Sequence, residues 1–144
     1  MKYIYKLSQI FLVAWLLNLL WENVHVLLYE HYQGMVFTQI SQLEKFTILL
    51  QASIFDGAFI TAAVLLGTIL SKTLKAKQEE KSTTAFLLGA SIAFAITLEI
   101  SALESGRWAY NELMPIIPFL NVGLSPTIQL ALTGYLAHKS ACKN

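Results

Sequence analysis

Apolar residues in this chain come in four long blocks, and the charged residues fall mostly between them. The blocks cover residues 7–29, 46–70, 84–105 and 114–137. Each is close to the ~20 residues that an α-helix needs to cross the hydrocarbon core of a bilayer. The pattern predicts an all-α, polytopic integral membrane protein, one domain over residues 1–144, built as a bundle of four transmembrane helices. The fourth block is irregular and carries Pro115, Pro118, Gly123 and Pro126. Ser125 followed by Pro126 reads as a helix start, with the serine as cap and the proline at the first helical position. A helix from there to His138 is ~20 Å long, too short to span alone. The fourth helix is therefore expected to be broken across residues 115–126, its irregular backbone buried against protein or lining a cavity.

Charge sets the orientation. Lys2 and Lys6 precede the first block, Lys72, Lys75, Lys77 and Lys81 lie between the second and third, and Lys139 and Lys143 follow the fourth. Only Lys45 and Arg107 lie on the other side. Basic connections stay in the cytoplasm. Both termini and the 71–83 connection are expected there, in a multi-pass protein of the cell (inner) membrane. The 30–45 and 106–113 connections then face outward. Lys2 and Lys6 before an apolar run also suit a secretory signal. No small-x-small cleavage site follows, and the run continues into Glu22-Asn23-Val24-His25, so a retained helix is expected.

Composition narrows the classes. The chain is 56% hydrophobic and 13% charged, against about 25% charged in soluble domains. A net charge of +1 provides no basic field for nucleic acid. The single cysteine, Cys142, excludes an intrachain disulfide and a cysteine metal or redox motif.

Glu22, His25, Asp56 and Glu99 lie inside the apolar blocks, and Glu104 ends the third. A charge at the bilayer centre costs ~2.5–3.5 kcal/mol on the mildest scale, so such groups face a bundle interior or a wet cavity. Asn18, Glu22, His25 and Tyr29 are spaced i, i+4, i+7, i+11 and form one stripe, which Tyr32 extends. Asp56 shares a face with Ala52, Ala63 and Gly67, where another helix can approach closely. Glu99 lies near Ala95 and Gly106, while Thr97, Ser101 and Glu104 form a separate stripe. Glu104 is expected to pair with Arg107. Glu22 and Glu99 sit roughly 9–10 Å below the outer boundary and Asp56 about 15 Å below it. These residues are expected to converge in the outer half of the bundle, with the positive end of the short fourth helix aimed at them. Gln129, one turn into that helix, adds an amide. Tyr29, Tyr32, Trp108 and Tyr110 suit an interfacial aromatic belt. Asn18, Tyr29, Arg107, Trp108, Tyr110 and Gln129 are the candidate binding residues.

This set supports acid–base chemistry on a lipid or isoprenoid. Burial raises carboxyl pKa values, and a neighbouring histidine exchanges protons near neutrality. Glu22, Asp56 and Glu99 are the candidate acids and bases, with His25 as relay or orienting group. A second reading is a divalent metal site. Glu22-x-x-His25 places carboxylate and imidazole on one helix face, as in metal-binding helix bundles, although those use two such elements and this chain has one. A cation-coupled transporter unit, an accessory subunit of a larger complex, a homodimer and a purely structural polar network are the other readings.

The segment EISALESGRWAY at residues 99–110, followed by Pro115, Pro118 and Gly123 to Pro126, resembles carotenoid-processing membrane proteins. In the lycopene cyclase domain and the related hydratase-like family an acidic residue precedes a Gly-x-Trp/Phe stretch, and a Gly/Pro segment opens the next helix. The resemblance covers about 30 residues here. It implies an isoprenoid or lipid substrate and isomerase, cyclase or hydratase-like chemistry. Where the cyclase pattern has paired acids after the proline, this chain has Ser125-Pro126-Thr127-Ile128-Gln129. As a whole the chain resembles small four-helix membrane proteins of bacteria.

Overall fold

The computed structural model describes residues 2–142. Lys143, part of the charge pattern above, lies outside them, as does the side chain of Lys2. In chain order the elements are α1 (Lys2–His25), a single 3-10 turn (Val26–Leu28), β1 (Tyr29–His31), α2 (Gln42–Thr73) and α3 (Glu79–Glu104). Then come β2 (Ala109–Tyr110), β3 (Ile116–Ile117), β4 (Val122–Gly123) and α4 (Leu124–Cys142). The helices form a ring in which α1 packs on α2 and α4, and α3 on the same two. Three of them are long and apolar enough to cross a membrane, with mean hydropathy of 1.6, 1.9 and 2.0 for α1, α2 and α3. The fourth is shorter.

Local chemistry explains where the helices differ from the apolar blocks. α2 begins at Gln42, ahead of the apolar block, because Ser41 and Glu44 form a reciprocal capping box. α3 begins at Glu79, where Glu79 and Glu80 occupy the first turn and favour the positive helix end. α1 stops at His25 instead of running to Tyr29. Asn111 takes the next carbonyls, its side-chain amide donating to Leu27 O at 2.8 Å and its backbone N–H to Leu28 O at 3.0 Å.

The interior is made of aliphatic and small residues. Ile10, Ala14, Ile60, Leu87 and Ala137 are fully buried at its centre. Gly57 brings α2 against α1: a Cβ there would lie 3.2 Å from both the Cβ and the backbone nitrogen of Trp15. At one end of the ring the start of α1, the end of α2, the start of α3 and the end of α4 meet. Tyr3, Lys6, Lys72, Glu79 and His138 line a small cavity there. Lys139 pairs with Glu80 at the same end. The other end carries the short strands.

Residues 115–123 are non-helical ahead of the shorter fourth helix, as the prolines suggest, but they are ordered by strand pairing and not irregular. β3 and β4 form an antiparallel hairpin, Ile116 opposite Gly123 and Ile117 opposite Val122. Phe119 and Asn121 take positive φ in its turn. The hairpin passes directly into α4, with the Leu124 N–H donating to Pro115 O at 2.7 Å. α4 therefore starts at Leu124, so Ser125 sits in the first turn instead of capping it. Pro126 still falls among the first N–H groups, which have no intrahelical acceptor. The helix continues past His138 to Cys142, which makes it about 28 Å long at 1.5 Å per residue.

Candidate functional site

Gln129 is the hub of the strand-bearing end. Its side-chain amide nitrogen, with two hydrogens to give, lies 3.1 Å from Asn18 Oδ1, 2.8 Å from Glu22 Oε1 and 3.0 Å from Asp56 Oδ2. One α4 side chain thus ties α1 to α2. Asn18 is completely buried, and Glu22 and Gln129 are nearly so. Asn18 is braced by its own amide on Ala14 O and by the Thr133 hydroxyl, 3.2 Å from Asn18 Oδ1. Glu22 and Asp56 reach the same nitrogen, so the two carboxylates expected to converge do come together.

His25 follows Glu22 by one turn, with Nδ1 3.9 Å from Glu22 Oε1. It is 4% exposed. Neither ring nitrogen has a hydrogen-bond partner, and neither has Glu22 Oε2. Glu99 reaches the same space from α3. The Tyr110 hydroxyl donates to Glu99 Oε2 and accepts the Gly123 N–H at 2.8 Å. Gly123 has no room for a side chain: a Cβ would lie 2.8 Å from Met114 Sδ and 2.9 Å from Pro126 Cδ.

Glu22, His25, Asp56, Glu99 and Gln129 line one cavity of about 330 Å³. Its roof is aromatic. Tyr29, Tyr32 and Trp108 are buried and pack on one another instead of spreading as an interfacial belt. Tyr32 stacks on Trp108 at 5.3 Å, and Tyr29 meets Tyr32, Trp108 and Tyr110 at 5.2, 6.1 and 5.4 Å. The ladder between β1 and β2, with Tyr29 opposite Tyr110, holds this roof across from α1 to the segment after α3. Burial, and then the neighbouring carboxylate, push the hydroxyls of Tyr29, Tyr32 and Tyr110 up from the ordinary tyrosine range. Tyr110 therefore stays protonated and able to donate to Glu99.

Arg107 lies at the exposed rim of the cavity. It does not pair with Glu104. Its guanidinium donates to Ser105 Oγ at 3.2 Å and lies 5.4 Å from the Trp108 ring, while Glu104 is exposed on the separate outer stripe. Among the described residues, no group of three or more His, Cys, Asp or Glu side chains is arranged to hold a metal ion. The Glu22–His25 pair has no third ligand beside it. Thr133 was not among the sequence candidates. It lies four residues after Gln129, so the helical period that marked Asn18 and Glu22 on α1 also marks it on α4.

No protein-family model, no curated protein and no solved structure matches this chain.

Proposed function

We propose that this is a multi-pass membrane protein with both termini in the cytoplasm, and that its acidic cavity moves protons on and off a lipid or isoprenoid. One observation carries the reading. Three carboxylates and an imidazole line a single cavity, and among the described residues no lysine or arginine forms an ion pair with them. A buried charge without a partner is costly. Glu22 and Asp56 lie within about 6 Å of each other, since both reach Gln129 Nε2. A proton on one of the two removes their repulsion and keeps an acid ready inside an apolar bundle. Glu99, oriented by Tyr110, is the base, and His25 exchanges protons with the pair.

The chemistry is redox-neutral. The acid gives a proton to one carbon of a double bond, whose π electrons form the new C–H bond. The base removes a proton from the carbon on the far side of the resulting cation, and those C–H electrons form the shifted double bond. Nothing else is consumed. The resemblance of residues 99–110 to carotenoid-processing proteins favours an unsaturated isoprenoid as substrate.

The test is proton exchange. Purified protein in liposomes containing polyprenyl and glycerolipids is incubated in D2O, and the lipids are weighed by mass spectrometry. Deuterium enters one lipid class only when protein is present. Glu99→Gln and Asp56→Asn each slow it by about 10²–10⁴-fold while the circular dichroism stays helical. No protein-dependent deuterium in any lipid class overturns the reading and leaves a structural polar network in its place.

A further inference from the structure

The acidic cavity has a rim as well as a floor. Buried Glu22, His25 and Glu99 line it together with exposed Gln33, Gln51 and Arg107. The cavity therefore opens where the last three stand. The end of α3 puts Arg107 there. Gly106 takes a φ of 66°, its N–H reaches Leu103 O at 3.1 Å, and the Arg107 N–H reaches Ala102 O at 2.9 Å. This pair of bonds is a Schellman motif, which turns the chain away after the helix. A second tight turn meets it. Tyr32 and Met35 exchange backbone hydrogen bonds of 3.0 Å around Gln33 and Gly34, both at positive φ. The Gly34 N–H donates to Arg107 O at 2.7 Å. Two turns far apart in the chain thus hold Gln33 and Arg107 on one rim.

The guanidinium is held but not neutralised. Nε donates to Ser105 Oγ at 3.2 Å, Nη2 reaches Ser101 Oγ at 3.5 Å, and the group lies 5.4 Å from the Trp108 ring. All three partners are uncharged. The ion pairs among the described residues are Glu22 with His25 and Glu80 with Lys139, so no carboxylate pairs with Arg107. A guanidinium carries five N–H donors, and the two on Nη1 have no protein partner among the described residues. Such a fork matches the oxygens of a carboxylate or phosphate. Gln33 and Gln51 add amide groups on the same rim. The acids of the cavity are nearly fully buried while Arg107 is exposed, so an anion at the rim meets the cation first. Further in, Ala95, Leu98 and Leu130 join the aromatic roof in walls that suit hydrocarbon. A charged rim over an apolar interior fits an amphiphile.

We propose that Arg107 binds the oxyanion head of an amphiphile whose unsaturated chain enters the acidic cavity. This rests on the reading of the cavity as a site of proton chemistry on a lipid, and it narrows that lipid to one with an acidic head, a phosphate or a carboxylate. Arg107 fixes the head at the rim, and the chain is then presented to the buried acids.

The test is native mass spectrometry of the full-length protein in a non-ionic detergent, titrated with geranylgeranyl phosphate, geranylgeraniol or inorganic phosphate. The phosphate-headed chain is expected to bind about tenfold more tightly than the alcohol, a difference of 1.4 kcal/mol. Inorganic phosphate is expected not to bind in the same range. Arg107→Gln is expected to remove the preference. Arg107→Lys keeps the charge, loses the fork and is expected to retain part of it. Lys45→Gln removes the other basic residue of the outward connections and lies outside this cavity, so it is expected to leave the preference whole. Equal binding of phosphate and alcohol, binding of neither, or a preference that survives Arg107→Gln overturns the proposal. An equal loss in Lys45→Gln also overturns it, because the charge then acts as a diffuse field. Inorganic phosphate binding as tightly as the lipid overturns it too, because the site then takes a free anion. Head preference without deuterium exchange keeps the Arg107 site and rejects the proton chemistry. Exchange without head preference does the reverse.

Discussion

Gln129 and Asp56 are 73 residues apart in the chain and joined by a hydrogen bond of 3.0 Å. The bond matters because the same nitrogen serves Glu22. Gln129→Leu removes the donor from two buried carboxylates at once. Each unsatisfied polar group costs about 1–3 kcal/mol. We expect the midpoint of thermal unfolding in detergent to fall markedly, and to fall less in Gln129→Asn, which keeps the amide on a shorter arm. An unchanged midpoint in Gln129→Leu would show that the three helices do not depend on this hub.

Two glycines separate close packing from open space. Gly123→Ala forces a methyl against Met114 and the Pro126 ring, and shifts the N–H that reaches Tyr110. We expect a loss of about 1–3 kcal/mol. Gly89→Ala meets nothing within 4 Å and lies inside α3. Alanine is the better helix former by about 1 kcal/mol, so that variant is expected to be as stable as the parent or more so. Melting curves of the two variants, measured side by side, check the contrast.

The aromatic roof gives an alkaline signature. Tyr29, Tyr32 and Tyr110 hold their protons more tightly when folded than an ordinary tyrosine near pH 10. Their contribution to stability is complete below about pH 10, and it is lost as pH rises further because only the unfolded chain ionises. We expect phenolate absorbance at about pH 11 to report fewer than the six tyrosines of the native protein. The missing ones should appear together with the loss of helix. Full ionisation with the helices intact would be the contrary result.

The proposed orientation is readable through the one cysteine. Cys142 lies at the end of α4 and is half-buried. A membrane-impermeant maleimide is expected to label it in inverted vesicles and not in intact cells. In a Cys142→Ser background, Glu112→Cys on the opposite connection is expected to behave in the opposite way. Labelling of Cys142 from the outside would reverse the whole arrangement.

The helices were legible because burial writes a period into the sequence. Asn18, Glu22 and His25 share one stripe, and all three are buried against α2 and α4 or the cavity. Glu99 separated from Glu104 by the same arithmetic, and the two do part, one inward and one exposed. The hairpin was not legible. Its strands are two residues long, and proline and glycine mark a turn as readily as a broken helix. The start of α2 was not legible from the apolar block, because Ser41 and Glu44 decide where that helix begins. The aromatic roof was missed for a related reason. Tyr29 and Tyr110 meet through a strand pairing of residues far apart in the chain, which no local pattern records.

The hub can also be counted in hydrogens. Gln129 offers two from its amide, and Thr133 has one hydroxyl hydrogen within reach of Asn18 Oδ1. Three hydrogens then meet three oxygens, one each on Asn18, Glu22 and Asp56. The set closes only if Thr133 turns away from the Gln129 carbonyl that it also contacts at 2.8 Å. Glu22 Oε2 is left over. Both His25 ring nitrogens are left over beside it, so the hub closes on itself while the Glu22–His25 pair next to it keeps its hydrogen-bonding capacity free.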